Sequence, residues 1–145
     1  MPGSRAIARK EDSRIKAIRN IVEDMQMPDH IVIVEGMHDV RVVERFKIAA
    51  ITFERFRSDG SELNNYSKVM IFTDIDDSGK REAKQIARLL EDKGIRSMVD
   101  ETSGPRLLRL IGGVRCVEEL GKPLENILED GHSIHPILAT IHHRT

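Results

Sequence analysis

The chain has 145 residues, 39% hydrophobic and 32% charged, which is typical of one soluble globular domain with a single core. Its formal net charge of −1 excludes a uniformly basic nucleic-acid binder, so any nucleic-acid contact has to come from local basic faces. A single cysteine, Cys116, excludes an internal disulfide and a cysteine-rich zinc site, and no apolar run approaches the length of a membrane span. We therefore expect a cytoplasmic protein without membrane contacts.

The N-terminal segment predicts an amphipathic helix over residues 5–26, which Pro28 ends. Its apolar positions recur at helical spacing and form one stripe: Ile15, Ile18, Val22 and Met25. Its other faces carry basic side chains: Arg5, Arg9, Lys10, Arg14, Lys16 and Arg19. Such a face is ordinarily solvated, and the alternative is an edge that contacts phosphates.

The next segment predicts a strand, a helix and a second strand. Residues 31–34 are wholly apolar, as in a strand buried on both faces, and Glu35-Gly36 ends them. Residues 38–49 predict a helix with an apolar side formed by Val43, Phe46 and Ala50. Residues 51–56 predict a strand nearer the edge of the sheet, followed by a turn at 58–61 and a short helical connection over 62–68.

A second apolar run begins at Val69 and leads into Asp74 and Asp76, with Gly79 three residues later. Residues 81–93 then predict the clearest helix, with Gly94 as its C-terminal cap. The remaining predicted elements are a strand over 95–100, a short helix that begins at 102–105 and ends at Gly112-Gly113, and a helix over 123–130, whereas the tail from 132 is ambiguous.

This alternation of strands and helices predicts an α/β fold, a Rossmann-like parallel sheet of about four strands flanked by helices. We divide the chain into an N-terminal helical extension (1–28), the sheet-forming domain (29–115) and a C-terminal helical extension packed on the same domain (116–145). Since parallel strands end at one edge of the sheet, Glu35, Asp74 and Asp76 can converge there. Carboxylates so placed repel each other unless a proton or a cation lies between them, which indicates a divalent-metal site.

Two motifs carry a resemblance to a known family. Ile31-Val32-Ile33-Val34-Glu35-Gly36-x-x-Asp39, followed by Val69-Met70-Ile71-Phe72-Thr73-Asp74-x-Asp76-x-x-Gly79, resembles the two motifs of the Toprim domain. Topoisomerases, bacterial primases, OLD-family nucleases and a ribosomal-RNA-maturing ribonuclease share that domain. The likeness spans roughly residues 31–110 and is nearest to small stand-alone Toprim proteins, primase-type Toprim domains and the RNA-maturing enzyme, which carries a run similar to Gly60-Ser61-Glu62-Leu63-Asn64.

The resemblance implies the Toprim fold and metal-dependent chemistry on nucleic-acid phosphodiester bonds. Glu35 would be the general acid/base, and Asp74 and Asp76 would hold Mg²⁺, or Mn²⁺, with Glu35 sharing it. Gly36 and Gly79 would shape the two turns, and Asp39 would support the metal site. Hard carboxylate oxygens suit Mg²⁺, which agrees with the interpretation of the acids alone. Lys80 begins a helix that points at the site and is a candidate phosphate contact.

Several of these residues have a purely structural interpretation. Asp76, Asp77 and Ser78 precede a helix, where acids and serine act as caps, and we assign Asp77 and Ser78 to that role. Asp39 can likewise favour a helix N-terminus. We expect Arg41 and Arg45 to be solvated, and Cys116 to be a buried, inert thiol. We expect the histidines of the tail, His132, His135, His142 and His143, to be solvated or packed rather than metal ligands, because no cysteine joins them and no firm helix fixes their spacing.

Other functions compete with the nuclease interpretation. An EF-hand loop starting at Asp74 fails because Gln85 occupies its twelfth position. A haloacid-dehalogenase-type phosphatase stays a minor alternative, since its Asp-x-Asp usually follows the first strand. Topoisomerase and primase roles are disfavoured: the chain has no room for a tyrosine-bearing domain, and Tyr66 lies in a short connection. The main alternative is a non-catalytic module that binds nucleic acid or protein. We expect RNA or DNA as partner, with a homodimer or a larger processing complex as further expectations.

Overall fold

The computed structural model describes the backbone of residues 2–132 and the side chains of residues 9–129. Helices and strands alternate along this part of the chain: α1 Pro2–Met25, β1 His30–Val34, α2 Met37–Glu44, β2 Ala50–Thr52, α3 Phe53–Ser58, β3 Lys68–Ile71, α4 Asp77–Asp92, β4 Met98–Asp100, α5 Ser103–Ile111 and α6 Gly121–His132. Short 3-10 helices lie at Ser61–Asn65 and Val117–Glu119. None of the described helices is long and apolar enough to cross a lipid bilayer.

The strands form one parallel sheet in the order β2-β1-β3-β4. This confirms the predicted α/β class, a Rossmann-like sheet of four parallel strands flanked by helices, with an N-terminal helix. β1 and β3 occupy the centre and are wholly apolar between Ile31 and Val34 and between Val69 and Ile71, as strands buried on both faces have to be. β2 lies at an edge, as its rougher pattern predicts.

The two faces of the sheet are covered by different helices. Val32 and Val34 of β1 point into a core formed with α1, α2, α5 and α6, whereas Ile31 and Ile33 point into a second core formed with α3 and α4. α1 contributes more than the predicted stripe: Ile18, Val22 and Met25 are buried as expected, Ile21 is buried too, and Ile15 is only half-buried. The C-terminal half of α1 is therefore part of the main core.

The helix predicted over residues 38–49 ends at Glu44, and the prediction is wrong beyond it. Lys47 has a φ of 61°, in the left-handed region, and the turn closes with a hydrogen bond from the Ile48 N–H to the Val43 carbonyl. Ala50 lies in β2 and pairs with Val32. Ala50 also fits the apolar side of a helix, but pairing with β1 places it in a strand.

The strand predicted over residues 51–56 is also wrong beyond Thr52. The Thr52 hydroxyl accepts a hydrogen bond from the Arg55 N–H at 3.1 Å and caps α3. Phe53 and Phe56 are both buried, and their spacing of three residues is helical. An aromatic pair at i, i+3 was the available signal for a helix.

Smaller differences concern where elements begin. β4 starts at Met98 rather than at residue 95, and α6 starts at Gly121. α4 begins at Asp77, four residues before the predicted start, because Asp76 caps it. Gly94 follows α4 with a φ of 67°, which confirms its capping position. The side chain of His132 and the residues of the histidine-rich tail, His135, His142 and His143, lie outside the described residues.

Candidate functional site

The central strand pair brings the predicted acids together. Ile33 of β1 pairs with Ile71 of β3, so the chain leaves both strands at the same level of the sheet. Two residues after Ile33, the Glu35 carboxylate accepts a hydrogen bond from the Asp74 N–H at 3.1 Å. The convergence of Glu35 and Asp74 at this edge is therefore present in the structure.

Asp74 is fixed by a segment that no sequence motif marks. Its Oδ1 accepts a hydrogen bond from the Val117 N–H at 3.0 Å, and the next residue, Ile75, donates its N–H to the Arg115 carbonyl at 3.0 Å. The loop between α5 and the Val117–Glu119 turn thus holds the acidic loop from the side. The contact joins residues more than 40 positions apart, which local patterning does not reveal.

The electrostatics of the cluster disfavour charged carboxylates in the absence of a cation. Burial is the main cause that raises the pKa of Asp74 to about 6, and the carboxyls of Glu35 and Asp76 add to the rise. The hydrogen bond from the Val117 N–H acts in the opposite direction and lowers this pKa. Burial also raises the pKa of Glu35, and the carboxyl of Glu82 contributes to that rise. Two neighbouring acids with raised pKa values form a pair that gains from a bound proton or cation.

Glu82 is the member of the cluster that the sequence analysis missed. It lies on α4 and, with Glu35, lines an open cavity of about 530 Å³ whose other walls are Phe53, Glu54, Arg57 and Ser58 of α3. The acidic loop thus continues into a cleft between α3 and α4. The available signal was the position of Glu82 on the helix that follows Asp76, but its face depends on where that helix begins.

Asp76 has a structural role in the fold. It is the N-cap of α4, and its Oδ1 accepts a hydrogen bond from the Gly79 N–H at 2.7 Å. The assignment of Asp77 and Ser78 as the caps is therefore wrong, since α4 begins at Asp77 and its cap is the preceding residue. Asp76 is close enough to Asp74 to raise the pKa of that carboxyl, and its predicted role as a metal ligand stays a prediction.

Asp39 occupies the third position of α2 and accepts a hydrogen bond from the Gly36 N–H at 3.1 Å, which is the helix-terminus role. It is nearly buried, and burial raises its pKa, with the charges of Asp74 and Glu118 adding to the rise. Asp39 therefore belongs to the same field of negative charge. Its support of a metal stays a prediction.

The two motif glycines, Gly36 and Gly79, differ in whether the local structure requires glycine. A Cβ atom at Gly79 would lie 2.0 Å from the Asp74 carbonyl oxygen, so only glycine lets α4 approach the acidic loop this closely. Gly36 has a φ of −141°, and a Cβ there would meet no atom within 4 Å. The turn after β1 therefore does not require glycine.

The basic candidates lie on different helices. Lys80 is exposed in the first turn of α4, and a phosphate contact stays a prediction. Arg45 pairs with Glu125 of α6 at 3.2 Å, and Arg41 is exposed. Cys116 is half-buried rather than buried, and a hydrogen bond with Glu119 raises the pKa of its thiol to about 11.

The donor set suits only an open metal site. Among the described side chains, no three His, Cys, Asp or Glu residues are gathered in a geometry that holds a metal ion. Asp74 and Asp76 offer two carboxylates, which fits Mg²⁺, because this ion keeps several waters and is held by few carboxylates together with substrate phosphates. A closed cage of protein ligands, as in a structural Ca²⁺ or Zn²⁺ site, does not fit this part of the chain.

Comparisons with known proteins give information on the fold only. No family model matches the chain, and the search of curated proteins gave no significant match. A solved structure of a protein from Aquifex aeolicus is similar, with a TM-score of 0.57 and 22% sequence identity over 70% of this chain and 95% of that one. At this identity the likeness supports the α/β architecture.

Proposed function

We propose that this protein is a metal-dependent Toprim-type enzyme that cleaves phosphodiester bonds of nucleic acid, as a nuclease in RNA or DNA processing. The observation that supports it most is the hydrogen bond from the Asp74 N–H to the Glu35 carboxylate. It brings the acid of one motif against the acid of the other, at the strand ends where parallel sheets bind ligands.

Each acidic residue then has a distinct role. Asp74 and Asp76 hold Mg²⁺, with Glu35 sharing it, and the ion neutralises charge on the phosphate when bound. Glu35 takes a proton from the attacking nucleophile or returns one to the leaving oxygen. In the metal-free protein, burial and the neighbouring Glu82 raise its pKa.

Calorimetric titration of the full chain with Mg²⁺ tests the first requirement. We expect the double variant Asp74→Asn/Asp76→Asn to lose all detectable binding, because both carboxylates become neutral amides. Asp77→Asn is the matched control: it removes the exposed acid next to Asp76, at the first position of α4, and should bind Mg²⁺ as the wild type does. Unchanged Mg²⁺ binding by the double variant would contradict the proposal.

A second candidate is a non-catalytic module that binds nucleic acid or protein. Asp76 is already used as a helix cap, and a third metal ligand is missing among the described side chains, which favour this candidate. It requires that nucleic-acid binding survive both EDTA and the two acid substitutions, with no substrate cleaved. Phosphoryl transfer of the phosphatase type stays a minor alternative on the same acids.

A further inference from the structure

The surface of the described region contains a concave patch lined by cations. It is a groove of about 520 Å³ between α1 and α5, and we call it the basic groove. Its charged lining residues are Arg9, Lys10 and Arg14 of α1 and Arg106 of α5, and its apolar floor includes Ala17 and Leu110. No acidic residue of the described part of the chain lines it.

Three of the four cations are available to a ligand. Arg9, Lys10 and Arg106 are exposed, and among the described side chains none of them lies within ion-pair distance of a carboxylate. Arg14 differs from them, because it pairs with Glu11 at 3.1 Å and donates to the carbonyls of Leu110 and Ile111 at 2.8 and 3.2 Å. These contacts fix α1 against the end of α5. The groove therefore has a fixed wall and exposed positive groups on long side chains.

One wall of the groove, α5, begins at the edge of the sheet where the acids lie. It begins three residues after β4 ends, and Arg106 is in its first turn. A Cβ at Gly104 would lie 2.8 Å from the Ile71 carbonyl oxygen, so the start of α5 rests directly on the end of β3. Asp74 is three residues beyond Ile71, and Arg106 is two residues beyond Gly104. Arg106 therefore lies in the first turn of a helix that begins at the sheet edge carrying the acids.

The exposed charges suit a phosphate backbone, because Arg9, Lys10 and Arg106 are long cationic side chains that make contacts with phosphates independently of sequence. A nucleic-acid strand is the occupant that the proposed function requires. An acidic peptide would also meet positive charge, and competition with polyglutamate tests that occupant.

We infer that the basic groove between α1 and α5 binds the phosphate backbone of a nucleic-acid strand and leads it toward Glu35 and Asp74. The inference rests on the proposed function and names where its substrate is held. Contacts with phosphates are independent of sequence, so the groove sets affinity and direction rather than base specificity.

Binding of fluorescent single-stranded RNA, single-stranded DNA and duplex DNA to the full chain, measured by anisotropy in EDTA, tests the inference without any cleavage. The test variant is Arg9→Ala/Arg106→Ala. The matched control, Arg88→Ala/Arg96→Ala, removes two arginines from and just after α4, which covers the other face of the sheet. A Tm equal to that of the wild type would show that each variant is folded.

We expect the test variant to bind about tenfold more weakly and to lose about 1.5 from the slope of log affinity against log salt, since two phosphate contacts disappear. The control should bind as the wild type does. Equal weakening by test and control variants, no binding by the wild type, or displacement of the strand by polyglutamate at equal charge would each overturn the inference.

A cleavage assay of the same strands and variants in Mg²⁺ separates this inference from the proposed function. If the wild type cleaves in Mg²⁺ and the Arg9→Ala/Arg106→Ala variant binds and cleaves equally well, the proposed function stands and the groove inference is wrong. If the wild type binds through the groove but cleaves no strand, the groove inference stands and the proposed enzymatic function is wrong.

Discussion

Asp74 shows how one residue takes on the properties of a ligand-binding group. Its carboxyl is half-buried, accepts a hydrogen bond from the Val117 N–H and lies beside Glu35. An aspartate in an exposed loop would be charged at neutral pH without any loss of stability. Here burial raises the pKa of the Asp74 carboxyl to about 6, so the charged form costs stability in the metal-free protein.

The stability of the metal-free protein should therefore depend on pH through Asp74. Its pKa is about 6 in the folded state against an ordinary 3.8, so the folded state holds the proton longer. The contribution is most favourable below pH 3.8 and is lost as the pH rises through 6. Asp74→Asn removes this loss, and its amide oxygen still accepts from Val117. We expect its Tm in EDTA to rise relative to wild type as the pH increases from 4 to 6 and to stay above it at pH 7.5.

A double-mutant cycle with Glu35→Gln checks the cause. Since the carboxyl of Glu35 helps to raise the pKa of Asp74, the two substitutions together should stabilise by less than the sum of their single effects. A Tm difference between Asp74→Asn and wild type that does not change with pH would contradict the assigned electrostatics.

At this scale the sequence indicated the strand-end acids but not their neighbours. Glu35 and Asp74 follow apolar runs, so their convergence follows from the geometry of parallel strands. Val117 and Glu82 come from other elements, and their positions depend on packing and on the true start of α4. Nothing in the sequence pattern marks Val117 as a donor to Asp74.

Among the elements, α4 depends most closely on one residue. Asp76 caps it, and its third residue, Gly79, packs directly on the Asp74 carbonyl. The helix and the acidic loop are therefore one unit: the same close approach that starts α4 fixes the direction of the Asp74 backbone. This is a physical reason for the spacing of the second motif, Asp74-x-Asp76-x-x-Gly79.

Gly79→Ala should reverse the usual effect of this substitution in a helix. Alanine ordinarily stabilises a helix by about 1 kcal/mol relative to glycine. At Gly79 the added methyl would overlap the Asp74 carbonyl oxygen, and we expect a loss of about 3 kcal/mol, because α4 or the loop has to move. Chemical denaturation measures it.

Gly36→Ala is the matched control, since its methyl would meet no atom within 4 Å and its φ suits any residue. Its unfolding free energy should stay within about 0.5 kcal/mol of wild type. Equal stability of the Gly79→Ala and wild-type proteins would show that α4 does not approach the loop as described.

The wrongly predicted element boundaries share physical causes. Residues 45–52 satisfy both a helical and a strand pattern, and pairing with β1 decides between them. Thr52 stops the strand because its hydroxyl caps α3. Tertiary pairing and side-chain caps thus override the local pattern where apolar residues are closely spaced, whereas isolated long helices such as α4 were predicted well apart from their first turn.

On the scale of the whole molecule, the parallel sheet follows from the alternation of apolar runs and helices. The strand order β2-β1-β3-β4 does not, since pairing partners are not encoded locally. The order matters for function because it sets the two central strands side by side and their acids with them. The division into an N-terminal extension, a central domain and a C-terminal extension describes the chain order, but Ile18, Val22 and Met25 of α1 are part of the core.

The molecule also has two charged features of opposite sign: the acidic cluster at the strand ends and the basic groove between α1 and α5. A net charge of −1 hides this separation, which explains why overall composition says little about a nucleic-acid partner. The proposed function uses both features.

The most direct measurement is cleavage of a panel of structured RNA, single-stranded DNA and duplex DNA by the full chain in Mg²⁺ or Mn²⁺, run beside Glu35→Gln. We expect the wild type to cleave one class in a reaction that EDTA stops. Glu35→Gln should reduce cleavage at least about a hundredfold, because an amide cannot transfer the proton. Metal-dependent cleavage that Glu35→Gln leaves intact, or no cleavage of any class while Mg²⁺ is bound, would contradict the account.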